Sequence, residues 1–190
     1  MANVAFKRRA TARRAWWILL PLGLWLLSAL LVGALALGRL AWPASMPTFS
    51  LGFSDFAHMK VWLTSAVLVL ASGQLLWAAR MFGLLRFPPR GHFYYIVHRW
   101  AGRLTLLLTL PIAYHCIILV GQHPLDPRVA IHAGFGAFLY GAFATKVLLV
   151  RLPGLPGWWL PVAGGILFCV LLGLWLTSVP WFVSLYGLSL

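Results

Sequence analysis

Six histidines, His58, His92, His98, His115, His123 and His132, are the side chains of this chain best equipped for chemistry. A neutral imidazole offers a lone pair to haem iron or copper and changes charge close to neutral pH. Carboxylates are nearly absent. Asp55 and Asp126 are the only two, so catalysis by a carboxylate pair has almost no material. The two cysteines, Cys116 and Cys169, form no Cys-x-x-Cys-His motif, and covalently attached haem is therefore not expected. No glycine-rich phosphate loop is present either.

The elements that must position these histidines are membrane spans. Hydrophobic residues make up 62% of the 190 and charged residues 9%, well under the roughly 25% charged content of a water-soluble domain. Five apolar runs, at about 16–37, 57–79, 98–120, 129–150 and 158–181, each approach the ~20 residues that cross a hydrocarbon core as helix. They are too long and too continuous for barrel strands. The expected fold is all-α: one transmembrane domain over 1–190, a bundle of five helices in which spans two to five form a four-helix haem-binding core.

Twelve of the 15 cations fall on one side of this arrangement, leaving Arg39, Lys60 and Arg128 on the other. By the positive-inside rule the N-terminus is cytoplasmic and the C-terminus outside, in a bacterial cytoplasmic membrane. The net charge of +13 therefore reads as topology and lipid contact, and no nucleic-acid partner is expected. The basic N-terminus imitates a secretory signal, but its apolar run is longer than a signal core and reads as a retained helix. Trp16, Trp17, Trp42, Tyr94, Tyr95, Trp158, Trp159, Trp181 and Tyr186 fall near span ends, where aromatic rings sit among headgroups.

Orientation selects which histidines can meet. His58 opens the second span from outside, His115 lies near the outer end of the third and His132 near the outer start of the fourth, all within ~10 Å of one edge. In up-down order the second and fourth helices are diagonal, which favours His58 with His132 as axial ligands of a b-type haem. His115 is the alternative ligand or a supporting group. Lys60 and Arg128 are candidate propionate partners, and Gly136, one turn beyond His132, permits close haem approach beside a small-residue ridge of Ala133, Ala137 and Gly141. A copper site built from His58, His115 and His132, with Met59 nearby, is the other metal reading. His92 and His123 read as interfacial groups.

The run His98-Arg99-Trp100-Ala101-Gly102-Arg103, continuing to Tyr114-His115, resembles the third-helix pattern of ferric-reductase-like transmembrane proteins and of bacterial cytochromes b. From about Phe56 onward the chain also resembles an uncharacterised family of bacterial multi-span membrane proteins, through segments at 98–116, 128–132 and 155–158. The first resemblance implies bis-histidyl haem b and transmembrane electron transfer. It is incomplete. Ferric-reductase-like helices carry histidines thirteen or fourteen residues apart, whereas His98 and His115 are seventeen apart, about 100° off one face and roughly 25 Å along the axis. The fifth span holds no histidine. One outer haem is favoured, with a second at an inner site of His98, Arg99 and Arg103 as an alternative. That inner group otherwise reads as lipid-phosphate contacts, a quinone site or a docking point.

These residues predict a haem-bearing subunit that exchanges electrons near the outer face with membrane redox subunits, a periplasmic carrier or a quinone. A cofactor-free assembly subunit, whose histidines satisfy interhelical hydrogen bonds, is the rival expectation.

Overall fold

A computed structural model describes residues 47–86, 91–116, 126–151 and 156–187, together with 26–31 and Leu19, Gly23 and Ala34. Among the described residues the chain forms five helices and no strand. The described part of α1 is residues 26–31 with the three separate positions. It is followed by α2 (Phe56–Met81), α3 (His92–Tyr114), α4 (Pro127–Arg151) and α5 (Trp159–Tyr186). α2, α4 and α5 are long and apolar enough to cross a membrane. α3 has the length at 23 residues, but its first half carries His98, Arg99 and Arg103.

Local signals explain the helix ends. Asp55 caps α2, its Oδ1 accepting from the backbone N–H of Ala57 at 2.7 Å and of His58 at 2.9 Å. At the other end Arg80 is buried beside the orphan carbonyls of the last turn, where a cation suits the helix dipole, and donates to the Leu85 carbonyl at 2.9 Å. Pro111 removes an N–H from the last turn of α3, which opens into a wider π-type turn at residues 115–116. α3 runs from His92, six residues before the expected start of the third span, to Tyr114, and the π-type turn carries it through residue 116. Residues 117–120 of that expected span lie outside the described residues.

α2 packs against α3 and α5, and α4 packs against α5, so α2 and α4 are diagonal. The core between them is formed by Val67 and Ala71 of α2, Leu139 and Ala142 of α4, and Leu167, Val170 and Leu171 of α5. α3 joins through Leu108 and through Tyr140 of α4, whose hydroxyl donates to the Thr109 carbonyl at 3.2 Å. The outward faces are apolar as well: Val69 is 71% exposed, Leu107 61% and Leu176 54%. A surface of that kind is stable against lipid and not against water.

The tightest helix approach is one that residue types alone do not reveal. Gly173 of α5 lies under the Phe135 ring of α4, and a Cβ there would sit 2.5 Å from the ring. Gly173→Ala is expected to overpack this contact and to cost about 1–3 kcal/mol. Unfolding in detergent checks this, and Phe135→Leu in the same chain should recover part of the loss.

Candidate functional site

His58 stands three residues beyond the Asp55 cap, on the first turn of α2. Its Nδ1 lies 2.7 Å from Asp55 Oδ2, and because an ionised carboxylate only accepts, Nδ1 carries the proton. Nε2 is then the lone-pair nitrogen. It is buried without a hydrogen-bond partner, and the ring meets the Phe182 edge of α5 at 5.0 Å. The backbone amide of His58, with its ring and the Ala57 amide, holds the Asp55 carboxyl below the ordinary carboxylate range.

His132 sits on the second turn of α4, with Nδ1 2.8 Å from Thr177 Oγ1 of α5. The single hydroxyl proton of Thr177 is directed to backbone carbonyls, at 2.7 Å to Gly173 and 3.2 Å to Leu174. The threonine oxygen therefore accepts from His132 Nδ1–H, and Nε2 of His132 is again the lone-pair nitrogen. Both diagonal histidines thus have the tautomer of a metal-ligating imidazole, fixed by a hydrogen bond at the other nitrogen.

His115 is different. It is fully buried at the end of α3, where Nδ1–H donates to the Pro111 carbonyl at 2.9 Å and Nε2 accepts from the Phe49 amide at 3.5 Å. Phe49 and Phe56 flank the ring, and the Tyr114 hydroxyl donates to the Pro47 carbonyl at 3.0 Å. His115 fastens the segment before α2 onto α3, and both of its nitrogens are engaged. Among the described residues no three His, Cys, Asp or Glu side chains come together as a metal-binding group. The three outer histidines are accordingly not gathered as one triad.

The two candidate propionate partners, Arg128 and Lys60, already have contacts within the chain. Arg128 donates to the Thr177 carbonyl at 2.9 Å, lies 3.5 Å from Asp126 and stacks over Trp181 at 3.9 Å. Lys60 lies 5.3 Å from the Phe56 ring centre, and both cations are within electrostatic range of His132. A Cβ on Gly136 would meet nothing within 4 Å, so open space lies beside α4 one turn below His132.

The expected inner group separates. His98 belongs to the inward stripe of α3 with Ala101 and Thr105, and its Nδ1 is buried and unpartnered. Arg99 and Arg103 are exposed, Arg103 lying 4.6 Å over Trp100. Gly102 has a packing role, since a Cβ there would approach the Gln74 Oε1 to 3.2 Å. His92 is exposed at the start of α3, and His123 lies outside the described residues.

Thr177 and Asp55 are the positioning residues that residue-type reasoning passed over. Asp55 had a readable signal, a carboxylate immediately before an apolar helix with a histidine three residues on. Thr177 had none, because its partner is 45 positions away.

Over residues 19–190 the chain matches a family of unknown function, DUF6529, and it belongs to that family. No curated protein and no solved structure matches it.

Asp55→Ala is expected to destabilise the folded chain by about 1 kcal/mol through loss of the cap. The carboxyl's folded value is depressed, so its stabilisation is complete above the ordinary carboxylate range and is lost as pH falls through the lower folded value. Denaturation midpoints of the wild type and Asp55→Asn should therefore differ at neutral pH and converge in strong acid.

Proposed function

We propose that this protein is a five-pass, haem b-bearing electron-transfer subunit of the bacterial cytoplasmic membrane, with its N-terminus in the cytoplasm. His58 and His132 would hold one haem near the outer face. The observation that carries the reading is the matched tautomer state of these two side chains on diagonal helices. Each has Nδ1–H engaged, by Asp55 or by Thr177, and each leaves Nε2 as the basic nitrogen. The buried, unpartnered Nε2 of His58 is the kind of atom that a folded protein ordinarily satisfies, and an iron centre would satisfy it.

A bound haem supplies a one-electron couple. The chain's own residues orient and insulate. Asp55 fixes the orientation of the His58 ring, and Thr177 does the same for His132 without adding a charge. Phe182 closes one side of His58 against water. Lys60 and Arg128 place positive charge at this level, suited to carboxylates such as propionates, and the open space next to Gly136 is where a flat group would meet little steric resistance. Partners consistent with one centre near the outer face are membrane redox subunits, a periplasmic electron carrier or a quinone.

The cofactor-free assembly reading has an observation of its own, the tie of His132 and Arg128 to Thr177 that joins α4 to α5. A copper site of three histidines has no comparable support, since His115 has both nitrogens occupied.

A reduced-minus-oxidised spectrum of the purified full chain, expressed with ample haem, separates the readings. Haem binding predicts a Soret band and a sharpened alpha band, abolished in His58→Ala and His132→Ala. His115→Ala should keep both bands while lowering thermal stability, because it unfastens the Phe49 segment. A folded, colourless wild-type chain would sink the haem reading and leave the assembly subunit.

A further inference from the structure

The two ends of the bundle differ in one respect that the haem reading does not use. Both carboxylates of the chain, Asp55 and Asp126, lie at the end where α2 and α4 begin. The other end carries Arg80, Arg86, Arg99, Arg103, Lys146 and Arg151 with no acid at all. Arginines on the outside of that end can reach water or headgroups. Lys146 is half-buried.

On α4, Leu139, Ala142 and Leu149 are each 4–5% exposed. Lys146 falls at the 3–4–3 spacing between them, so it belongs to the stripe that faces the bundle interior. His98 stands in the same relation to Ala101 and Thr105 on α3, which are 8% and 1% exposed. Because α3 and α4 run oppositely, His98, six residues into α3, and Lys146, five residues before the end of α4, sit at similar depths of ~8–9 Å from that end. Lys146 is close enough to act electrostatically on His98. From α2, Gln74 reaches the same region, its Nε2 donating to Thr105 Oγ1 at 2.9 Å.

This layer holds a cation and a buried His98 Nδ1 without a partner among the described residues, and both carboxylates stand at the opposite end of the bundle. A charge on an inward-facing stripe is costly unless it is paired, and half-buried Lys146 has no carboxylate at this end of the bundle to pair with. The way in from outside is between α3 and α4. Those helices are not in close backbone contact, and the Tyr140 hydroxyl bridges them nearer the opposite end.

We propose that the His98–Lys146 layer binds the phosphate head group of an anionic phospholipid, whose acyl chains lie in the crevice between α3 and α4. Lys146 supplies the charge and the N–H donors, and the His98 ring, which faces the Gln74 carbonyl, lines the site. Phosphate is the matching chemistry because it is an oxyanion with several acceptor oxygens, and a lipid can present it at this depth with its apolar portion still in apolar surroundings. The site is independent of the haem reading and stands whether or not that reading survives.

The full chain purified in uncharged detergent provides the test, with native mass spectrometry to count retained lipid and thermal unfolding to measure its effect. Phosphatidylglycerol is expected to remain bound at one molecule per chain. At about a hundredfold over its dissociation constant it should raise the midpoint by roughly 5 °C or more. Phosphatidylcholine and inorganic phosphate should do neither. Lys146→Met should abolish the shift while raising the lipid-free midpoint, since it removes an uncompensated half-buried charge; Lys146→Arg should keep the shift. Arg86→Gln and Arg151→Gln should leave it intact. Equal shifts with phosphatidylcholine or inorganic phosphate, or equal loss in the surface arginine variants, would overturn the proposal. If Lys146→Met does not fold, the wild type decides, and absence of retained phosphatidylglycerol overturns it.

Discussion

Polar groups inside this bundle have almost no acid to pair with, and that scarcity governs the rest of the structure. Two carboxylates serve 15 cations and six histidines, and both stand at one end. Wherever the interior is polar, neutral acceptors must do the work that carboxylates do elsewhere. Thr177 Oγ1 and the Thr177 carbonyl hold His132 and Arg128, the Pro111 carbonyl holds His115, and Thr105 Oγ1 holds Gln74. In a low-dielectric setting each such bond is short of competitors and therefore specific in its geometry.

The same scarcity distinguishes three histidines that residue type alone makes equivalent. His115 has two partners and acts as a fastener. His132 donates to a hydroxyl whose own proton is committed, which leaves the imidazole with a defined donor nitrogen and a defined lone-pair one. His58 is oriented by Asp55, one of the two carboxylates, and its second nitrogen is buried with nothing to bond. Ligand chemistry follows from the tautomer, and the tautomer follows from what the other nitrogen touches.

Helix packing supplies the scaffold for this arrangement. Gly173 and Gly102 set how closely α4 and α3 approach their neighbours, the first under Phe135 and the second beside Gln74. α5 is the common support. It contacts both α2 and α4, and it presents Phe182 to His58 and Thr177 to His132 from one helix.

The residues alone made legible the all-helical, apolar class, the approximate limits of α2, α4 and α5, and the helix ends near which His58, His115 and His132 stand. Those properties depend on local hydrophobic runs and on charge order along the chain, which need no knowledge of packing. Tertiary structure alone decided that α3 begins at His92 and turns wide after Pro111, that His115 is occupied while His58 keeps a free nitrogen, and that Arg99 and Arg103 turn outward while Lys146 turns inward. Each of these depends on a partner contributed by another helix or on the rotation of a helix about its axis. Runs of uniformly apolar residues leave that rotation unmarked, so it becomes legible only when the helices are placed side by side.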